Sequence, residues 1–108
     1  MPRIIFEVLD RDGVPVRLTE EYFRHIEKGH PEIVAYLDQI QAVIRAPSLV
    51  TIDDDGVSHL TRLGAVSGRW QNLYLEVVVG YSGKHGQVFT ALFKKVPPKG
   101  RLIWMRKG

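Results

Sequence analysis

The 108-residue chain has no cysteine. That absence excludes disulfides, thiolate metal ligands and cysteine nucleophiles together. No apolar run approaches the ~20 residues of a membrane-spanning helix. The start, Met-Pro-Arg-Ile-Ile-Phe-Glu, lacks the apolar stretch of a secretory signal. Glycine-rich phosphate loops, serine elbows, repeats, linkers and low-complexity tracts are also missing. Acid is scarce in one half: residues 56–108 hold one carboxylate, Glu76, against nine Lys and Arg, a sum of +8. Residues 1–55 hold eleven acids and six bases, a sum of −5.

What is present is ordinary for a globular chain. Hydrophobic residues make up 44% of it, enough apolar content to exclude disorder. The length suits one domain, 1–108, with a core of its own. The reading is a soluble, cytoplasmic single domain with no membrane partner. The last fifteen residues carry Lys94, Lys95, Lys99, Arg101, Arg106 and Lys107 and no acid. A basic region of this kind either faces a polyanion or is simply a solvated surface.

Residues 3–17 read as a β-hairpin with its loop around Asp10–Gly13, and Pro15 assigns the second arm to an edge. Thr19-Glu20-Glu21 reads as a helix start with Thr19 as cap, and Gly29 as the residue just past its end. His30-Pro31-Glu32 opens a second helix, with Pro31 in its first turn. Ile33, Leu37, Ile40 and Ile44 form its inward face, and Ala46-Pro47 ends it. From Ser48 the pattern changes to period two. Strands are predicted over 48–52, 57–63, within 69–81, over 87–96 and over 101–105, with turns at Asp53–Gly56, Ser82–Gly86 and Pro97–Gly100. The predicted fold is α+β: a hairpin and two helices, then an antiparallel sheet of four to five strands.

Three histidines stand where they could act near neutral pH. His25 borders the apolar face of the first helix. His30 precedes a helix start, where it either meets an anion or caps the helix. His85 lies in a glycine-flanked turn. Metal spacing is absent: His25 and His30 are five apart, not four, and Asp53-Asp54-Asp55 lacks the further ligands of a calcium loop. No metal and no cofactor are expected. Thr90 is a polar residue within an apolar alternation, so its hydroxyl either finds a partner, faces a cleft or is there as a good strand former. Trp104 is either core or a platform for a base. Arg69 opens the long strand on which Tyr74 and Tyr81 lie, and arginine, lysine and tyrosine about a curved sheet suit a phosphate.

The helix with His25, the run HPEIVAYLDQIQAVIRAPSLV (30–50), YLEVVVGY (74–81), QVFTALF (87–93) and LIW (102–104) together resemble the phage-type members of the barnase–EndoU–colicin–RelE (BECR) fold. The resemblance covers about residues 18–105, with the 1–17 hairpin as an extension. It implies a small, metal-independent endoribonuclease, toxin-like or phage-derived, either cytoplasmic or a delivered toxin or phage protein domain. The ribose 2′-OH attacks the phosphodiester and leaves a 2′,3′-cyclic phosphate. Carried over by position, His25 and His30 match the family histidines, with the choice of general base open between them. Thr90 matches the strand threonine, and Arg69 becomes the phosphate clamp. Tyr74, Tyr81, Lys94, Lys95 and Trp104 become RNA-binding residues around a positively charged hollow. RNA, and an antitoxin or immunity protein, are the implied partners. The alternative is a non-catalytic RNA- or protein-binding module of the same fold.

Overall fold

The computed structural model describes residues 3–62, 73–95 and 100–107. Arg69, the expected phosphate clamp, lies outside the described residues, as do Gly64–Gly68 and Pro97–Lys99. Among the described residues the architecture is α+β, with two α-helices and a seven-stranded mixed sheet. In chain order the elements are β1 (Ile4–Leu9), β2 (Pro15–Thr19), α1 (Glu20–Gly29), a 3₁₀ segment (Pro31–Tyr36), α2 (Leu37–Arg45), β3 (Leu49–Asp53), β4 (Gly56–Arg62), β5 (Tyr74–Ser82), β6 (His85–Lys94) and β7 (Arg101–Met105).

The strands lie side by side as β1-β2-β6-β5-β4-β3-β7. This differs from the expected four- to five-stranded antiparallel sheet in two ways. The N-terminal hairpin joins the sheet rather than standing apart, and β2 pairs parallel with β6 at Val16↔Gly86 and Arg17↔Gln87. The parallel contact follows from the crossover: the chain leaves β2, forms both helices and a three-strand meander, and returns beside it. Phe6, Val16 and Leu18 of the hairpin are thereby buried in the common core.

One face of the sheet is aliphatic because β5 alternates: Leu75, Val77 and Val79 point to one side, and Glu76 and Val78 to the other. Ile33, Ile40 and Ile44 cover the aliphatic face as the spacing predicts, each fully buried, with Leu37 packed at the margin. Each such side chain contributes roughly 1.5–3 kcal/mol by leaving water. The helix ends are built differently from the expectation. Thr19 stands at the start of α1 but makes no side-chain cap. The Glu20 N–H donates instead to the Arg3 carbonyl, 2.7 Å away, across the hairpin. Gly29 is still helical, and His30 closes the helix by donating its N–H to the Ile26 carbonyl at 2.7 Å. Among the described residues no helix is long and apolar enough to cross a membrane.

A register shift between Val78 and Val79 inserts one extra residue, Phe89, into β6. The bulge turns its ring onto the face opposite the aliphatic core, over Gly80 and 5.6 Å from the Tyr22 ring of α1. A Cβ at Gly80 would collide with that ring, which accounts for a glycine in the middle of an otherwise well-formed strand.

Candidate functional site

The strand alternation that makes one face aliphatic sends a second set of side chains the other way. On β5 these are Glu76 and Val78; on β6, Thr90, Leu92 and Lys94 at every second position. Cross-strand pairing brings them level: Ser58, Val78 and Thr90 form one row, and Leu60, Glu76 and Leu92 the next. α1 lies against β6, with Tyr22 of its first turn beside Phe89. Because successive helical residues point about 100° apart, Ile26 enters the core while His25 looks over the sheet.

The result is an open cavity of about 510 Å3. Its floor is Ser58, Glu76, Val78, Thr90 and Leu92; its walls are His25, Phe89, Lys94 and the β3–β4 turn with Asp53 and Asp55. Glu76 is only 4% exposed. A buried carboxylate needs a partner, and the Lys94 ammonium supplies one at 3.3 Å. Asp53 accepts the Asp55 N–H at 2.8 Å, which shapes the turn at the rim. A second hollow of about 600 Å3 adjoins across Asp53, Asp55 and Phe89, and His85 lines it.

Three of the residues singled out from sequence therefore converge: His25, Thr90 and Lys94. The other described ones do not join them. His30 links α1 to the 3₁₀ segment, half-exposed, with its Nδ1 3.8 Å from Glu32; its place is a chain joint, not the cavity wall. Lys95 is exposed beyond the end of β6, and Tyr74 opens β5 opposite Lys94. Trp104 lies with the Arg11 guanidinium 4.6 Å above its ring, so that face is already occupied. The expected positively charged hollow is corrected as well. Among the described residues the lining has three carboxylates and one ammonium, cationic at the Lys94 end and acidic at the Asp53–Asp55 end.

Glu76 is the cavity residue that sequence reasoning missed. The signal was present: it is the only acid in residues 56–108, and it interrupts an apolar strand.

Tyr81, expected at RNA, belongs to a separate cluster. Its hydroxyl donates to Asp10 Oδ2 at 2.6 Å and lies 3.2 Å from His59 Nε2. Asp10 Oδ1 already accepts the N–H groups of Asp12 and Val14, both at 2.9 Å. The carboxylate thus acts as an acceptor throughout, and the single phenol proton goes to it. The proton on the His59 ring is then assigned to Nε2, donating to the Tyr81 oxygen. Burial holds the His59 imidazole below its ordinary pKa, against the opposing pull of Asp10. Burial and then the Asp10 hydrogen bond hold the Tyr81 phenol above its own. The sequence gives His59 no role by itself, although period two places it with Val57 on the face away from Ser58.

Among the described residues no group of three or more His, Asp or Glu is placed to hold a metal ion. Compared with family models, curated proteins and solved structures, the chain matches none.

Proposed function

We propose that the cavity binds an RNA phosphodiester and cleaves it by general acid–base catalysis. The observation that carries the reading is the meeting of His25, Thr90 and Lys94, distant in sequence, around the buried carboxylate of Glu76. A base and an acid on different elements, with a cation between, are what an in-line transfer needs. In this reading Glu76 takes the proton from the 2′-OH as that oxygen attacks phosphorus. Lys94 holds Glu76 and offsets charge on the phosphoryl oxygens. His25 gives a proton to the departing 5′ oxygen, so the P–O5′ bond breaks and a 2′,3′-cyclic phosphate forms. The Thr90 and Ser58 hydroxyls donate to the phosphate or ribose. The phosphate lies at the Lys94 end, away from the repulsion of Asp53 and Asp55. The choice of base, open between two histidines in the sequence, passes to Glu76, and His30 has no part.

The test is incubation with tRNA and with total cellular RNA in EDTA. The expected product carries a 2′,3′-cyclic phosphate, and Glu76→Gln and His25→Ala lose it. Absence of cleavage both with and without divalent ions overturns the reading.

One observation favours a second reading, a binding module without catalysis: carboxylates outnumber ammonium groups in the lining. It predicts no product from any RNA, with or without divalent ions.

A further inference from the structure

Among the described residues the sheet ends in β7, which pairs with β3 and has no described strand on its outer side. Natural sheets protect such edges because a bare edge templates pairing with another chain. The protection here is partial. β7 is five residues long, and its register slips at Ile103. Yet Leu102, Ile103 and Met105 are 51, 45 and 60% exposed, which places apolar side chains on both sides of the strand.

Charge decides what fits. Arg101 precedes these side chains, Arg106 and Lys107 follow them, all three are exposed, and residues 100–107 contain no acid. A second copy of β7 laid antiparallel would bring Arg101 of one chain toward Arg106 and Lys107 of the other, and like charges across a strand pair are unfavourable. Single-stranded RNA would be drawn to the cations but gains little from aliphatic side chains. The one aromatic ring on the strand, Trp104, is already stacked under Arg11. An extended protein segment with apolar residues alternating with acids satisfies the ladder, the apolar side chains and the charge together.

We infer that the outer edge of β7 is a docking site for an acidic, extended segment of a partner protein, which adds as an eighth strand. The same cations that reject self-pairing select this partner. The placement bears on the cavity: Leu102, Thr51, Ser58, Val78 and Thr90 lie on one cross-sheet row, so an added strand extends the surface that floors the cavity. The docking does not depend on ribonuclease activity and is tested without it.

The probe is a capped, fluorescein-labelled seven-residue peptide of alternating Val and Glu, followed by anisotropy and by amide hydrogen exchange at 101–105. Three controls accompany it: the same peptide with Lys for Glu, one with a central Pro, and a 12-nucleotide single-stranded RNA. The acidic peptide is expected to slow exchange in β7. The Lys and Pro peptides fail to do so, and the Arg101→Glu/Lys107→Glu double variant binds at least tenfold more weakly. Both substitutions sit on exposed side chains, and a circular dichroism spectrum identical to wild type verifies the fold. Unchanged exchange in β7 at millimolar acidic peptide overturns the inference. So does equal protection by the Lys peptide, the Pro peptide or the RNA.

Discussion

Two polar clusters lie on opposite faces of the same pair of strands, and they are wired differently. Ser58 and Glu76 point into the cavity; His59 and Tyr81, each an odd number of residues further along, point the other way. Around Asp10 the acceptors are filled: two backbone N–H groups hold one oxygen and the Tyr81 hydroxyl holds the other. That is a latch between the first hairpin and the end of β5. Glu76 is held by Lys94 beside 510 Å3 of accessible space. A carboxylate with both oxygens occupied stabilises one structure, whereas a paired carboxylate beside an open cavity stays within reach of a bound molecule.

The comparison is broken most severely if the wrong cluster controls activity. Glu76→Gln is expected to lower RNA cleavage by roughly 10²–10⁴-fold with a small change in urea midpoint. Single-turnover cleavage and denaturation of the same preparation measure both. Asp10→Ala should do the reverse. It leaves two N–H groups and a phenol without their acceptor, at a cost of about 2–4 kcal/mol, while the cleavage rate per folded molecule is unchanged. A variant at Asp10 that folds as well as wild type but loses activity would erase the distinction.

Gly80→Ala tests the wall between the two hollows. Its new methyl meets the Phe89 ring, so the ring or the bulge must shift. The expected destabilisation is about 1–3 kcal/mol, read from the thermal midpoint, with altered Tyr fluorescence as the Tyr22 contact loosens.

Proton linkage sharpens the comparison further. The folded state holds the His59 pKa below its unfolded value, so the unfolded chain binds the extra proton as pH falls. Stability contributed by neutral His59 is therefore full above about pH 6.5 and declines on acidification toward the folded pKa. His59→Gln should flatten that decline in a series of urea melts between pH 7.5 and pH 5. For Tyr81 the sign is opposite: the folded pKa is raised, and stability falls as pH rises past about 10. Smallest of all is His30→Ala. It is expected to change stability by no more than about 0.5 kcal/mol and leave cleavage intact, since His30 borders solvent rather than the cavity.

Much of the fold was legible because it rests on local rules. The period of Ile33, Ile40 and Ile44 placed the buried face shared by the 3₁₀ segment and α2, and the alternation from Leu73 to Tyr81 placed the central strand. The parallel pairing of β2 with β6 was not legible, since no local pattern records which distant strand a hairpin will meet. The candidate site was half legible. His25, Thr90 and Lys94 each carried a local anomaly: an imidazole at an apolar border, a hydroxyl in an apolar strand, an ammonium four residues from it on the same face. Glu76 carried one too, but its meaning required knowing that Lys94 lies diagonally across the ladder. His30 misled because the helical start at Pro31 that it precedes is real but is no part of the cavity lining.

By itself the amino-acid order determined the periods, and hence which residues turn inward on each helix and strand; side-chain spacing of 3.6 or 2 is a property of the local backbone. Only tertiary structure decided which of two strand faces would be roofed by helices and which left open, because that depends on where the chain returns after leaving β2. The same return set Lys94 against Glu76 and Asp10 against Tyr81, contacts between residues 18 and 71 positions apart, whose energies exist only once the sheet has closed.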